Sequence, residues 1–370
     1  MKLTTILATL TLHLFLSLAN VHADPSNTLV VDKQGRVYFG DVLHNTVWKI
    51  EDGNLIPFLK DKHSHRVVLD EQGNLYGEHL EYVPSNDSWR FHMWKATPAG
   101  EVSYVVPPSP GFPFGLLTDK NGNRYEWQGN SNKQDDSRIV RRQPDGMLVT
   151  IAGKGWGWAD GKGEQAKFGH IGGMTWGADG ALYVTDTDAI RKVTLDGTVT
   201  TIVRGVAELQ PGLKTRALSA AALGQGGGTL YGLTLDTQAN IYAANFGGHA
   251  VIKFSPDGNV RQVIKSESGW APSGVTVSGS DLFVLEFQDQ FIGEAKGPRV
   301  RKISADGQAV TLGTVGETTN ASANISKASG PSIPAELKWG IALLALAAIV
   351  VSGWRVWQRI RPSKFVTKAL

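Results

Sequence analysis

The chain has 370 residues, a net charge of +3 and no cysteine. The absence of cysteine excludes thiolate catalysis, cysteine-ligated zinc and iron–sulfur clusters, and a chain of this length can build a core without disulfides. Residues 1–23 carry +1 and residues 336–370 carry +5, so the part between them carries 3 − 1 − 5 = −3, which argues against a nucleic-acid-binding surface.

The amino terminus has the pattern of a secretory signal peptide. Lys2 precedes an apolar run from Leu3 to Leu18, and Val21 and Ala23 are the small residues expected before a cleavage site. We therefore expect residues 1–23 to be a signal peptide cleaved after Ala23, with a retained anchor as the alternative.

One short sequence pattern occurs six times between residues 24 and 316. In each copy a turn is followed by a β-rich run with an aromatic residue. The six aromatic residues are Tyr38, Tyr76, Tyr125, Tyr183, Tyr242 and Phe283. Each unit is too small to bury its own apolar face, so such repeats pack side by side around an axis.

Each repeat is predicted to form four short antiparallel strands, because turn dipeptides separate runs of Val, Ile, Thr and Tyr. In the fourth repeat the predicted strands are 173–176, 181–186, 189–194 and 198–203. Six such units predict an all-β fold, a six-bladed β-propeller with four-stranded antiparallel blades. The first and last units each hold four strands, so no strand exchange between the ends is expected.

Three longer segments are predicted to depart from this meander. They are residues 79–92, 153–169 and 206–228. Loops on a rigid scaffold are where binding residues concentrate, so we expect the ligand-binding face of the propeller to carry these insertions.

The carboxy-terminal part is predicted to be a stalk and a membrane anchor. Residues 317–338 are rich in small and polar residues and predict a flexible stalk. Residues 339–357 are largely apolar with tryptophans at both ends and predict one transmembrane helix. Residues 358–370 form a basic tail, which the positive-inside rule places in the cytoplasm. The propeller would then lie outside the cytoplasm on a single-pass anchor.

The fourth repeat resembles the NHL repeat. The resemblance is carried by Ile151-Ala-Gly153, Asp160-Gly161, Ala166-Lys-Phe168, the run from Asp179 to Asp186, and Ile190-Arg-Lys192. It extends over most of residues 27–316 and implies a six-bladed propeller. It implies no single activity, because NHL-like propellers include protein-binding modules as well as enzymes.

A ring of polar residues follows the repeated aromatics at a spacing of three. These residues are Asp41, His79, Gln128, Asp186, Asn245 and Glu286. All are expected at the ends of second strands on one face, where oxygen ligands with one imidazole could hold Ca²⁺. The alternative is that Asp and Asn at these strand ends hydrogen-bond the turn that follows.

The starts of the innermost strands offer a second test for a metal. Gluconolactonase-like propellers hold a divalent metal there with Asn, Asp and Glu, but the matching positions in this chain are Phe114, Gly172, Tyr231 and Ser273. The related peptidyl-α-hydroxyglycine lyases use three histidines to hold zinc, and His65 alone matches such a position. No cofactor is therefore predicted, and Ca²⁺ or Zn²⁺ remain the alternative ions.

Aromatic residues are the remaining candidates for ligand contacts. They are Trp89, Phe114, Trp156, Trp158, Tyr231 and Trp270. Exposed aromatics around a concave face suit a protein, peptide or glycan ligand, whereas packing between blades is the alternative. The sequence thus predicts a membrane-anchored binding module more than an enzyme. The alternative is a metal-dependent hydrolase or lyase working in the central channel.

Overall fold

The computed structural model describes residues 25–83, 85, 88–110, 114–130, 133–205, 229–288 and 297–316. The predicted signal peptide, the stalk, the transmembrane helix, the basic tail and the third insertion lie outside the described residues. Among the described residues, no helix has the length and apolar character needed to cross a membrane.

The strands form six antiparallel sheets of consecutive strands. Blade 1 contains β1 (Leu29–Val31), β2 (Val37–Asp41), β3 (Thr46–Glu51) and β4 (Asn54–Leu59). Blade 2 contains β5 (Val67–Leu69), β6 (Leu75–Val83), β7 (Ser88–Ala96) and β8 (Val102–Pro110). Blade 3 contains β9 (Phe114–Thr118), β10 (Arg124–Asn130), β11 (Lys133–Arg142) and β12 (Leu148–Ala152).

Blade 4 has a fifth strand, β13, which comes from the second insertion. It contains β13 (Gly161–Lys162), β14 (Ile171–Trp176), β15 (Leu182–Asp186), β16 (Ala189–Val193) and β17 (Thr198–Val203). Blade 5 contains β18 (Leu230–Leu235), β19 (Ile241–Asn245), β20 (Ala250–Phe254) and β21 (Val260–Lys265). Blade 6 contains β22 (Trp270–Ser278), β23 (Asp281–Gln288), β24 (Arg299–Ile303) and β25 (Ala309–Thr314).

The innermost strands of successive blades contact one another around a closed ring, in the order β1, β5, β9, β14, β18, β22 and back to β1. The predicted six-bladed propeller is therefore confirmed, and no strand is exchanged between the first and last blades. Most of the core lies between blades, since both faces of each sheet are apolar. Trp127 and Ile139 of blade 3, for example, pack with Ile171 and Val184 of blade 4.

The repeated tyrosine fastens the turn between the first and second strands. In blade 2, Asp70 accepts hydrogen bonds from the backbone N–H groups of Gln72 (3.0 Å) and Asn74 (2.8 Å) and from the Tyr76 hydroxyl (3.1 Å). Burial alone would raise the pKa of Asp70, but these hydrogen bonds lower it below its usual value. The same aspartate–tyrosine pairs are Asp32–Tyr38, Asp119–Tyr125 and Asp236–Tyr242.

Glycines let the innermost strands approach closely at the axis. A Cβ atom added to Gly232 would overlap the carbonyl oxygen of Asn27, and one added to Gly172 would overlap that of Leu230. Asn27 also donates a side-chain hydrogen bond to the carbonyl oxygen of Gly172 (2.5 Å). The innermost strands of blades 1, 4, 5 and 6 thus lie in close backbone contact around the axis.

Replacing Gly232 by alanine is expected to lower the free energy of unfolding by about 1–3 kcal/mol, because the overlap falls on backbone atoms that must shift. Denaturant unfolding of the purified chain measures this. Gly313→Ala is the matched control, since an added Cβ there meets only Leu55 and Ile50 side-chain atoms at ordinary contact distances of 3.5–3.8 Å. Equal stability of the two variants would contradict the close approach at the axis.

The first insertion was predicted wrongly as a departure from the meander. Strands β6 and β7 continue through it as a long hairpin that pairs from Leu75↔Ala96 to Val83↔Ser88. The physical reason is that Leu80 of β6 and Phe91 of β7, which face each other across the hairpin, are both buried. The two strands therefore extend beyond the length of the repeat.

Candidate functional site

One face of the propeller collects the loops that join second to third strands and fourth strands to the next blade; we call it the entry face. All histidines of the described residues lie at this face. They are His44, His63, His65, His79, His92, His170 and His249. The opposite face, which we call the turn face, carries the aspartate turns.

The buried polar residues at the second-strand ends are engaged within their own blades. Asp41 accepts hydrogen bonds from the ring N–H of Trp48 (3.1 Å) and the backbone of His44 (3.2 Å), and its other contact is His44 Nδ1 at 2.7 Å. Asn245 accepts from the backbone N–H of Gly248 (2.9 Å). These two residues therefore stabilise the turns that follow them, as the alternative interpretation predicted.

The acidic residues of blades 4 and 6 form ion pairs with arginine. Asp186 contacts Arg191 at 2.9 Å, and Glu286 contacts Arg299 at 2.6 Å. Burial raises the pKa of Asp186 to about 6, although Arg191 acts in the opposite direction. In the described parts of the chain, no group of three or more His, Asp or Glu side chains could hold a metal ion. A metal ion at this ring stays the alternative to the prediction that no cofactor is bound.

Four histidines cluster in blade 2. The Nε2 atoms of His63 and His65 lie 3.1 Å apart, and the His79 ring stacks on His92 with centroids 4.7 Å apart. His79 Nδ1 accepts a hydrogen bond from the backbone N–H of His63 (2.8 Å). Burial lowers the pKa values of His65 and His79 to about 4, with neighbouring cations adding to the effect. These imidazoles are therefore neutral at pH 7.

Behind this cluster lies a buried carboxyl group. Glu78 is 1 % exposed, and neither of its oxygens makes a well-formed hydrogen bond to a described residue. Burial raises its pKa to about 7, although the charge of Arg66 and the nearby backbone N–H groups of Arg66 and His65 oppose the rise. Sequence reasoning missed this residue, which lies one position before the repeated strand end.

A small cavity, of about 30 Å³, lies beside the innermost strands among the described residues. Its lining includes Thr28, Arg66, Leu116, Trp127 and Met174, so it lies between blades 1 to 4. A cavity of this volume holds about two water molecules. This cavity is therefore too small for a drug-sized ligand without a change in shape.

The predicted aromatic residues divide into three groups. Trp158 is 45 % exposed, and the Arg204 guanidinium lies over its ring, 4.5 Å from the centroid. Trp270 is half-buried beneath Arg299 (4.3 Å), and Tyr231 is half-buried edge-on to Phe246 (5.2 Å).

Trp156 is also half-buried, and its backbone pairs with that of Phe168 in a single parallel β-bridge. Trp89 lies in β7 and Phe114 begins β9, but their side chains lie outside what the structure describes.

The second insertion, residues 153–169, forms an ordered strap that carries Trp158. Arg191, which is 1 % exposed, donates hydrogen bonds to the carbonyl oxygen of Ala159 (2.6 Å) and to Asp160 (2.9 Å) while it pairs with Asp186. Its guanidinium also stacks on Phe168, 4.8 Å from the ring centroid. Arg191 thus links the strap to the blade, together with the pairing of β13 with β17 and the hydrogen bonds from Thr201 to Asp160.

Known structures show the same fold. A luciferin-regenerating enzyme aligns with 80 % of this chain and 94 % of its own at 13 % identity, with a TM-score of 0.51. A putative gluconolactonase aligns with 79 % and 90 % of the two chains at 17 % identity and a TM-score of 0.49. A virginiamycin B lyase from Staphylococcus aureus aligns with 78 % and 85 % at 15 % identity and 0.45.

No family model matches the sequence, and no curated protein matches it either. Of these three structures, only the luciferin-regenerating enzyme reaches a TM-score of 0.5, and at 13 % identity it shows a likeness of fold alone.

Proposed function

We propose that the chain is a ligand-binding or protein-interaction module, held at a membrane outside the cytoplasm, that recognises its ligand through the entry face. The observation that carries the proposal is Trp158, a tryptophan exposed to 45 % yet fixed on an ordered strap. A rigid exposed aromatic loses little conformational entropy on binding, which is why tryptophan is common at recognition hot spots.

The neighbouring blades support this proposal. Tyr231 and Trp270 lie at the starts of the innermost strands of blades 5 and 6, at the entry face. Half-buried aromatic side chains of this kind offer apolar area while their edges stay accessible. The ligand would be a protein, a peptide or a glycan.

The alternative is a metal-dependent hydrolase or lyase, and the His63–His65 pair is the observation that favours it. A catalytic zinc takes three protein ligands, whereas the described residues supply two imidazole nitrogens, 3.1 Å apart. The donor set therefore falls short of such a site. Stoichiometric zinc in the purified chain that disappears in His65→Ala would instead favour the enzyme.

Hydroxyl-radical footprinting tests the binding proposal without knowledge of the ligand. In its native membrane, the full chain should show Trp158 oxidised several times more slowly than in the purified protein, because a bound ligand covers the ring. Tyr104, 61 % exposed on the outer strand of blade 2, is the internal control and should react equally in both samples. Equal oxidation of Trp158 in the two samples would contradict the proposal.

A further inference from the structure

Among the described residues, Arg204 is held in place without the use of its hydrogen-bond donors. Its guanidinium stacks on Trp158. Its Nε atom is buried and lies 3.7 Å from a carboxylate oxygen of Asp188, which is longer than a hydrogen bond. Within the described part of the chain, the side chain of Arg204 makes no hydrogen bond. Arginine normally satisfies several of its five N–H donors, and the described residues leave those of Arg204 available to another molecule.

The side chain is nevertheless accessible and oriented. It is 31 % exposed, and the indole beneath it sits on a strap whose backbone pairs Ala159 with Lys167 (3.0 Å and 3.4 Å). A guanidinium stacked on an aromatic ring and steered by a nearby carboxylate loses little freedom when it binds.

We propose that Trp158 and Arg204 form a recognition site for an acidic saccharide, an inference that rests on the proposed binding function. The guanidinium fork matches a carboxylate in a bidentate geometry. The exposed indole offers a flat apolar surface for the C–H face of a sugar ring, which needs no deep pocket. A saccharide can stack directly on this exposed ring, whereas a peptide or protein would have to supply a pocket of its own for the indole.

Calorimetric titration of the purified full chain with trigalacturonate tests this assignment. We expect saturable binding, and a loss of affinity of about tenfold or more for the methyl-esterified trisaccharide, which keeps the rings but removes the charge. Trp158→Ala and Arg204→Gln should each weaken binding to a similar extent. Arg204→Lys should also weaken it, because lysine keeps the charge without the fork.

Tyr104→Ala is the matched control, because it removes another exposed aromatic ring on which no arginine of the described residues stacks, and it should bind as the unmodified chain does. Thermal unfolding of every variant checks that the fold is intact. Equal affinity for the acid and its methyl ester, or unchanged binding by Arg204→Gln, would overturn the assignment.

The result separates this inference from the proposed function. Absence of trigalacturonate binding while Trp158 remains protected in the native membrane would reject the acidic saccharide and keep the binding module. Tighter binding of an acidic peptide, abolished by Trp158→Ala, would do the same. Loss of both trigalacturonate binding and footprinting protection would reject the two together.

Discussion

Replacing Arg191 by alanine is expected to lower the free energy of unfolding by about 3–5 kcal/mol, the usual cost of removing one partner from a buried ion pair. The change would leave the carboxylate of Asp186 buried without its partner and would remove the hydrogen bonds by which Arg191 holds Ala159 and Asp160 of the strap. Denaturant unfolding measures the stability. Limited proteolysis should at the same time cleave the strap between residues 153 and 169.

Two further variants make this prediction specific. Arg191→Lys keeps the charge but loses the fork that joins two backbone segments, so it should also be destabilised. Arg261→Ala removes an exposed arginine in β21 and should change the stability by less than about 0.5 kcal/mol. An Arg191→Ala protein as stable as the Arg261→Ala control would show that the strap is held in another way.

Glu78→Gln is expected to remove a pH dependence of stability worth about 3 kcal/mol. The folded-state pKa of Glu78 is about 7, against an ordinary value of 4.5. Below pH 4.5 the carboxyl group is protonated in both states. Between pH 4.5 and 7 it ionises in the unfolded chain only, so the free energy of unfolding falls as the pH rises, and above pH 7 the loss is complete.

The measurement is the difference in unfolding free energy between the unmodified chain and Glu78→Gln from pH 4.5 to pH 7.5. A folded-state pKa of about 7, against 4.5 in the unfolded chain, corresponds to about 3 kcal/mol, and the difference should grow in favour of the variant as the pH rises. Glu71→Gln changes an exposed carboxylate of the same blade and is the control. A difference that stays constant with pH would show that the carboxyl group reaches solvent or a counter-ion.

The fold was predictable because each strand boundary is marked locally. In blade 4 the predicted strands 173–176, 181–186, 189–194 and 198–203 agree with β14 to β17 to within two residues. Turn dipeptides and β-branched residues influence the backbone over a few positions only, so strand boundaries can be predicted from the local sequence. The prediction failed at residues 79–92, where burial of Leu80 and Phe91 depends on the neighbouring blade.

The site was less predictable because its contacts join distant parts of the sequence. Trp158 was identified as an aromatic candidate, but Arg204 lies 46 positions later and its stacking follows from how the strap folds back on blade 4. The second-strand acids suggested a metal ring from spacing alone. The spacing predicts that these acidic residues lie at strand ends. Whether they bind a metal or form an ion pair depends on the residues of the adjacent strand, which here supplies arginine.

Because every sheet is built from consecutive strands, the joint between blades 6 and 1 has no shared strand to lock it. Side-chain packing holds this joint together, since Leu29 and Phe39 of blade 1 pack in one cluster with Leu285 and Val300 of blade 6. The described chain leaves this joint at Gly316, directly after β25. A mechanical load applied through the carboxy terminus would therefore peel β25 from β24 one hydrogen bond at a time, and blade 6 is expected to unravel first at low force.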